Sequence, residues 1–209
     1  MYKPLSGKKA IIFDFDDTLV RTREIKWAAL VATAKDHYDL DITTENIEEH
    51  WGQPFKEMLC GVMGDIDSFE NLQRNYAKTS ESYPMLAFED TLPTLNQLFP
   101  FFRVSILTAS GRKPVIDDLL RLKFAVGSFT YIQTSEDTLF HKPDKRVFDP
   151  VLKILGQGNI TKNETVYIGD SDSDELASRN AGIDFIRIDR SGIEGDGQNH
   201  INSLHKLTS

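Results

Sequence analysis

Two groups of carboxylates in the sequence each follow directly after an apolar run. They comprise Asp14, Asp16 and Asp17 in "IIFDFDDTLV" and Asp170, Asp172 and Asp174 in "VYIGDSDSDELAS". A carboxylate at the end of a buried strand is costly unless a partner offsets its charge. Clustered carboxylates repel one another, and a divalent cation relieves that repulsion. Mg²⁺ suits an oxygen-only ligand set, whereas the sequence has no Cys/His cluster with zinc-ligand spacing.

Hydrogen-bond donors stand at two further places in the chain. Thr108 and Ser110 end the apolar run "SILTAS", and Lys142 lies in "HKPDKRVF" just before a helical pattern. Hydroxyl groups, a lysine and the backbone N–H groups of a helix N-terminus are the donors that a phosphoryl group needs. Together with the carboxylates, these residues suit a site for a phosphoryl group and Mg²⁺.

Five short apolar, β-branched or aromatic runs are predicted to be strands. They cover residues 9–15, 102–108, 129–134, 165–170 and 184–189. Apolar strands that alternate with helical segments indicate an α/β fold with a parallel sheet covered on both faces. Ligands of such sheets bind at the carboxyl ends of the strands, so the polar groups are predicted to converge there. Alternate side chains of an extended strand share a face, which would align Asp14 with Asp16.

Helical patterns define the rest of the organisation. Helices are predicted over 112–123, over 142–156 with Gly156 as the C-cap, and over 171–182. Residues 22–83 carry helical patterns without a convincing strand. We therefore predict an α/β core domain of residues 1–20 and 85–209 and an inserted helical domain of residues 21–84. The tail, residues 190–209, is predicted to hold a Gly-rich loop and a short amphipathic helix.

The composition of the 209 residues excludes several classes of protein. A net charge of −8 and a pI near 5.1 argue against nucleic-acid binding, which needs a basic face. No apolar run reaches the ~18 residues of a membrane span, and the N-terminus lacks the pattern of a signal peptide. A single cysteine, Cys60, allows no internal disulfide and fits a reducing compartment. We expect a cytoplasmic monomer or homodimer that binds neither nucleic acid nor membrane.

The motifs resemble those of the haloacid dehalogenase superfamily. "DFDDTL" is similar to its DxDxT signature, "SILTAS" to its second motif, "HKPDKRVF" to its third and "VYIGDSDSDELAS" to its fourth, GDxxxD. The order and spacing agree over nearly the whole chain. The helical insertion, including "WGQPFKEML", resembles the cap of the subgroup with phosphoglycolate phosphatases and β-phosphoglucomutases. The resemblance implies a Rossmann-like core with a helical cap and a Mg²⁺-dependent phosphatase of small phosphorylated metabolites.

The resemblance also implies roles for individual residues. Asp14 would be the nucleophile that forms an aspartyl-phosphate, and Asp16 the acid and base. Thr108 and Lys142 would act in catalysis and bind the phosphoryl group. Ala109 and Thr18 are further candidates for binding the phosphoryl group, although Thr18 could instead support the loop through hydrogen bonds. The implied Mg²⁺ ligands are Asp14, the Asp16 carbonyl, Asp170 and Asp174, with Asp174 bound directly or through water.

Other functions use similar residues. A phosphomutase or a pyrophosphatase of the same superfamily fits the motifs, although similar mutases have Gly-Val where this chain has Asp17 and Thr18, and dehalogenases lack the carboxylate of Asp16. A phospho-receiver domain also combines aspartyl-phosphate, Mg²⁺, Thr and Lys, but its acceptor follows a middle strand and it has no cap. A catalytically inactive binding protein is the third alternative. The sequence does not identify the metabolite.

Overall fold

The chain forms two compact units in the computed structural model, which describes residues 3–51, 53, 55–191 and 199–209. The first, here called the α/β unit, comprises Met1–Arg21 and Ala87–Ser209, and the second, the helical unit, is Thr22–Leu86. These bounds lie one residue and two residues beyond the boundaries predicted at 20 and 84.

A six-stranded parallel sheet forms the centre of the α/β unit. Its strands are β1 (Ala10–Phe13), β2 (Arg103–Leu107), β3 (Tyr131–Gln133), β4 (Thr165–Gly169), β5 (Asp184–Ile188) and β6 (His200–Ile201). The strand order is β3-β2-β1-β4-β5-β6. All four residues of β1 are buried, as expected for an apolar strand in the middle of a covered sheet. The predicted parallel α/β fold is confirmed, and only β6 among the described strands has no predicted counterpart.

The strands end earlier than the apolar runs suggest. β1 ends at Phe13, so the prediction that its strand continues to residue 15 is wrong. The Asp14 N–H still donates to the Ile168 carbonyl at 2.8 Å, which extends the ladder with β4 by one residue. From Phe15 onward the chain turns, because the N–H groups of Leu19 and Val20 both donate to the Phe15 carbonyl. Asp16 is therefore not part of the strand, and the prediction that strand alternation aligns it with Asp14 is wrong.

Four helices form the part of the helical unit that the structure describes. They are α1 (Thr22–Tyr38), α2 (Thr44–His50), α3 (Phe55–Met63) and α4 (Phe69–Ser80). Thr43 and Ser68 cap α2 and α4 by accepting hydrogen bonds from backbone N–H groups of the first turn. The unit has an apolar core of its own, made by Leu30, Ala34, Ile47, Met58, Leu59, Val62, Met63 and Leu72. Gly52 and Pro54 of "WGQPFKEML" lie outside the described residues.

Four more helices lie in the described residues of the α/β unit. They are α5 (Thr91–Leu98), α6 (Arg112–Arg121), α7 (Asp149–Gln157) and α8 (Asp172–Ala181). The helix predicted over 142–156 begins later than expected, because a separate 3-10 turn occupies Lys145–Phe148. Its predicted end is also wrong, since Gly156 lies inside α7 and Gly158 is the C-cap. The prediction for α8 is correct, with Ser171 at its N-cap and Gly182 at its C-cap in the left-handed conformation.

The end of the chain packs against the α/β unit through short elements. The strand β6 pairs with β5, and the 3-10 turn Leu204–Leu207 takes the place of the predicted amphipathic helix. The predicted Gly-rich loop falls on residues 192–198, outside the described residues. Nowhere in the described parts of the chain is there a helix with the length and apolar character needed to cross a membrane.

Candidate active site

The predicted site residues of the α/β unit lie at the carboxyl edge of its sheet. β1 lies between β2 and β4 and is the point where the strand order reverses. In open α/β sheets this point is where ligands bind. Asp14 follows β1, Thr108 follows β2 and Asp170 follows β4. Three parallel strands thus bring together residues that are far apart in the chain.

Lys142 links two of the carboxylates. Its ammonium donates to Asp14 Oδ1 at 2.7 Å and to Asp174 Oδ1 at 2.6 Å. All three side chains are shielded from solvent, with exposed fractions of 13% for Lys142, 5% for Asp14 and 1% for Asp174. A buried arrangement of this kind has little water to screen it, so the charges interact strongly. The lysine of the third motif and carboxylates of the first and fourth motifs form one cluster.

Tyr167 is a member of this cluster that the sequence did not indicate. It lies on β4, fully buried, and its hydroxyl donates to Asp174 Oδ1 at 2.7 Å. The same hydroxyl accepts a longer hydrogen bond, 3.3 Å, from Lys142. Burial, followed by the nearby carboxylates Asp174 and Asp14, raises the pKa of Tyr167 well above its usual value, so the phenol stays protonated and can donate. A tyrosine inside an apolar strand is normally interpreted as core, and its spacing of seven residues from Asp174 is the only sequence signal.

Asp14, Asp170 and Asp174 form a group that fits a divalent cation. One carboxylate oxygen from each lies within 4.8 Å of the other two. Three carboxylates face a single lysine, so negative charge remains uncompensated in a site with little solvent. Oxygen ligands of this kind suit Mg²⁺. The residues present therefore match the cation that the sequence predicted.

The pKa values of the cluster report the same excess of negative charge. Burial, followed by the carboxylates of Asp174 and Asp17, raises the pKa of Asp170 to about 6. Burial also raises the pKa of Asp14 above its usual value, and Lys142 offsets this only in part. For Asp174, burial acts upward but Lys142 lowers the pKa below its usual value. Burial alone would lower the pKa of Lys142, yet Asp14 and Asp174 raise it, so the lysine is charged.

Asp16 lies outside this cluster and contacts hydroxyl groups instead. Ser110 Oγ donates to Asp16 Oδ2 at 2.9 Å, and Thr108 Oγ1 donates to the same oxygen at 3.2 Å. Thr108 Oγ1 in turn accepts the Ser110 N–H at 3.0 Å. The first and second motifs are thus joined through Asp16, and one face of its carboxylate is fixed.

Asp174 uses all of its hydrogen-bonding capacity inside the protein. Its Oδ1 accepts from Lys142 and Tyr167, and its Oδ2 accepts from the Ser171 N–H at 3.0 Å and from Ser171 Oγ at 2.6 Å. Ser171 and Asp174 form the capping box of α8. A carboxylate offers about four acceptor positions, so a metal bound directly would have to displace one of these donors.

A glycine makes room for this carboxylate. A Cβ atom on Gly169 would lie 2.6 Å from the Asp174 Cγ, which is closer than atoms can approach without a shift. The glycine of the GDxxxD motif is thereby explained by the packing of Asp174 against the end of β4.

The remaining predicted residues take different positions. Thr18 is fully buried, and its Oγ1 has no hydrogen-bond partner among the described residues. Ala109, by contrast, is exposed. Asp17 adopts a positive φ of 54° in the turn after β1. The Arg112 guanidinium donates to the Asp137 carboxylate, and the Arg112 backbone N–H donates to the Glu136 carboxylate.

Comparison with known proteins places these motifs in a family context. The sequence profile of the haloacid dehalogenase-like hydrolases matches residues 11–188. Pyrophosphatase PpaX of Bacillus velezensis is 26% identical over 175 residues, which cover 83% of this chain and 79% of that protein. PpaX of Clostridium perfringens is 28% identical over 180 residues, covering 83% and 80%.

Solved structures share the fold. A hydrolase of the same superfamily, subfamily IA, from Geobacter sulfurreducens superposes with a TM-score of 0.74 at 20% identity, covering 97% of this chain and 95% of that one. YfnB of Bacillus subtilis, crystallised bound to magnesium, gives a TM-score of 0.78 at 21% identity over 96% of both chains.

Proposed function

The chain belongs to the haloacid dehalogenase-like hydrolases and is an enzyme, and we propose that it is a Mg²⁺-dependent phosphatase of small phosphorylated metabolites. The observation that carries the proposal is the cluster of Asp14, Lys142, Asp170 and Asp174 at the carboxyl edge of the sheet. Asp16 with its two hydroxyl donors lies directly after the same strand. The residues proposed as nucleophile, metal ligands and proton donor therefore lie close together.

We propose that Mg²⁺ is held by the carboxylates of Asp14 and Asp170 and by the Asp16 carbonyl. When bound, the cation polarises phosphoryl oxygens and offsets repulsion between an anionic substrate and an anionic nucleophile. Asp174 is assigned an indirect role, because its four acceptor positions are already filled. It holds Lys142 against Asp14 and reaches the metal, if at all, through water.

In the proposed reaction Asp14 is the nucleophile. A carboxylate oxygen of Asp14 forms a bond to phosphorus as the bond from phosphorus to the leaving oxygen breaks. Lys142 stabilises the charge that develops on the phosphoryl group. Its longest hydrogen bond, 3.3 Å to Tyr167, is the one that a phosphoryl oxygen most readily replaces.

Asp16 is assigned the proton transfers. In the first step its carboxylic acid protonates the leaving oxygen, and it becomes a carboxylate. In the second step that carboxylate accepts a proton from the water that attacks the aspartyl-phosphate, which releases phosphate and restores Asp14. Thr108 and Ser110 fix the orientation of Asp16 through its Oδ2. We further assign Thr108 and the Ala109 backbone to phosphate binding and Thr18, which is fully buried, to the support of the turn.

The helical unit is assigned the role of a cap domain that selects the substrate. Its support is the resemblance of residues 21–84 to family caps and the separate apolar core of the four helices. Inorganic pyrophosphate is the second candidate substrate, because the PpaX relatives are named pyrophosphatases. We expect the enzyme to act in the cytoplasm as a monomer or homodimer.

A direct test uses the purified full chain with Mg²⁺ and a panel of phosphate monoesters, p-nitrophenyl phosphate and pyrophosphate. We expect release of inorganic phosphate, and the best substrate of the panel distinguishes the two candidates. Asp14→Asn should abolish turnover, because the amide is a poor nucleophile. Asp117→Asn, on the exposed surface of α6, is the matched control and should keep full activity. Turnover undiminished in Asp14→Asn, or no turnover of any phosphate by the wild-type protein, would refute the proposal.

A further inference from the structure

Arg190 is a largely shielded arginine of the α/β unit to which neither the motifs nor the proposed reaction assigns a role. Its side chain is 13% exposed, and its Nη1 donates to both oxygens of Asp90, at 2.9 and 2.8 Å. Its Nη2 donates to the carbonyl oxygen of Thr18. The guanidinium also lies 3.9 Å from the centroid of the Phe88 ring, a cation–π distance. A planar fork with donors in several directions can make all of these contacts at once.

Asp90 receives donors from a third segment of the chain. Besides Arg190, its Oδ2 accepts from Ser203 Oγ at 2.7 Å and from the Leu204 N–H at 2.8 Å. Asp90 stands at the N-cap of α5 but makes no side-chain capping bond to that helix. Its carboxylate is thus committed to Arg190 and to the end of the chain. The pair is buried, paired and hydrogen-bonded, which is the condition under which buried charges are tolerated.

The acceptor of Arg190 belongs to the turn Phe15–Val20, which carries Asp16 and is called the catalytic turn below. Two successive carbonyls of this turn are held by side chains. Arg190 binds the Thr18 carbonyl, and Thr91 Oγ1 binds the Leu19 carbonyl at 2.9 Å. Inside the turn, the N–H groups of Leu19 and Val20 close on the Phe15 carbonyl. The Phe88 N–H also donates to the Leu19 carbonyl, at 3.4 Å, and Thr108 and Ser110 hold the Asp16 side chain. Arg190 is the side chain that holds the Thr18 carbonyl, in the middle of the turn.

We propose that Arg190, held by Asp90, is a positioning residue that fixes the catalytic turn and with it the place of Asp16. This inference rests on the proposed function, because it assigns Arg190 to the same reaction. It connects residues near the end of the chain to the first motif. Small displacements of a proton donor from its reacting geometry are costly for the rate, so a residue that holds the turn affects kcat more than substrate binding.

The test compares three variants of the full chain. Arg190→Gln removes the charge and the fork, and Arg190→Lys keeps the charge but cannot serve Asp90 and Thr18 in the same geometry. The matched control is Lys8→Gln, because the Lys8 side chain is also shielded from solvent and also combines an ion pair, 2.6 Å to the exposed Asp184, with a bond to a carbonyl, 2.6 Å to Asn163. Lys8 precedes β1 and lies at the opposite edge of the sheet from the catalytic turn.

Two readouts separate positioning from general stability. The first is hydrogen exchange of the Leu19 and Val20 amides, which needs neither metal nor turnover; we expect it to be about tenfold faster in Arg190→Gln and unchanged in Lys8→Gln. The second is steady-state hydrolysis with Mg²⁺. We expect kcat to fall roughly 10-fold to 100-fold in Arg190→Gln and less in Arg190→Lys, with little change in KM. Lys8→Gln should lower the Tm while leaving kcat unchanged.

The inference is overturned if both amides exchange at the wild-type rate in Arg190→Gln, or if kcat stays within about twofold of wild type. Should Arg190→Gln fail to fold, the same two criteria apply to Arg190→Lys. A wild-type protein without phosphatase activity refutes the proposed function alone. In that case the exchange rates still decide whether Arg190 holds the turn.

Discussion

Lys142 Nζ lies 2.7 Å from Asp14 Oδ1, although the two residues are 128 positions apart in the chain. The contact sets a buried cation directly against the proposed nucleophile. Since Asp174 holds the same ammonium at 2.6 Å, the lysine cannot swing away without leaving a carboxylate unpaired. One positive charge still faces three carboxylates, and the proposed Mg²⁺ would offset the remaining negative charge.

Mg²⁺ binding should therefore depend on pH through Asp170, whose pKa burial raises to about 6 from an unfolded value of 3.8. A raised carboxyl pKa gives the metal-free fold stability that is fully present below the unfolded pKa and is lost as the pH rises through about 6. Mg²⁺ requires the deprotonated form, so protons compete with it below that pH. We expect Mg²⁺ to raise the Tm much more at ~pH 7.5 than at ~pH 5, as measured by differential scanning fluorimetry.

Asp170→Asn should lose most of this Mg²⁺ response at both pH values. Asp172→Asn removes a fully exposed carboxylate two residues away and is the control that should keep it. An equal Mg²⁺ response at both pH values in the wild-type protein would show that Asp170 is not a ligand.

Tyr167→Phe should weaken the cluster without disturbing the core. The substitution removes the hydroxyl that donates to Asp174 and accepts from Lys142. We expect a stability loss of about 1–3 kcal/mol, since the lost hydrogen bond has a charged acceptor. Activity should fall roughly 10-fold to 100-fold, as is typical for residues that orient metal-site carboxylates. Urea unfolding and steady-state kinetics measure both.

Tyr131→Phe on β3 is the matched control, because its hydroxyl interacts with Asp137 outside the cluster. It should leave kcat unchanged. If both variants behave alike, Tyr167 is only a core residue.

Asp16→Asn should discriminate between leaving groups. An alkyl phosphate needs its leaving oxygen protonated, whereas p-nitrophenolate leaves readily without help. We expect kcat/KM to fall by about 10²–10⁴ for an alkyl phosphate and by clearly less for p-nitrophenyl phosphate. The value of kcat/KM depends only on the steps up to release of the leaving group. It is therefore not affected by the role of Asp16 in the later hydrolysis of the aspartyl-phosphate. An equal loss for both substrates would argue against Asp16 as the general acid.

Gly169→Ala should damage the site through packing. Its Cβ would lie 2.6 Å from Asp174 Cγ, and the overlap is expected to cost about 1–3 kcal/mol and to displace the carboxylate. Gly156→Ala is the control, because nothing lies within 4 Å of its Cβ and it stands inside α7. That change should stabilise the protein by roughly 0.5–1 kcal/mol, through helix propensity. Thermal unfolding measures the stability of both variants. A Gly169→Ala variant as stable as the wild-type protein would contradict the packing argument.

The central part of the site was predictable because its residues follow apolar runs. Asp14, Thr108 and Asp170 stand at the carboxyl ends of predicted strands, and a parallel sheet brings these ends together. The position of Asp16 was predicted for the wrong reason, since the chain already turns at Phe15.

Other features depend on contacts that no local pattern records. Tyr167 looks like a core residue, and Arg190 meets Asp90 across 100 positions. The helix α5 has no predicted counterpart; its Pro93 lies in the first turn, where the missing N–H costs nothing. Gly156 was predicted as the helix end, whereas Gly158 is the C-cap. A glycine signals the end of a helix, and the sequence does not show which of two nearby glycines takes that position.

The order of the strands in the sheet also determines when each strand can pair with its neighbours during synthesis on the ribosome. β1 is synthesised first, but its two neighbours in the sheet begin only at Arg103 and Thr165. At roughly 5–20 residues per second, β1, which precedes the proposed nucleophile Asp14, waits about 8–30 s for β4 to be synthesised. During that time the unpaired, apolar β1 is exposed to aggregation with other chains. A nascent chain that stops before β4 carries the proposed nucleophile, Asp14, without Asp170 and Asp174, the two other carboxylates of its cluster.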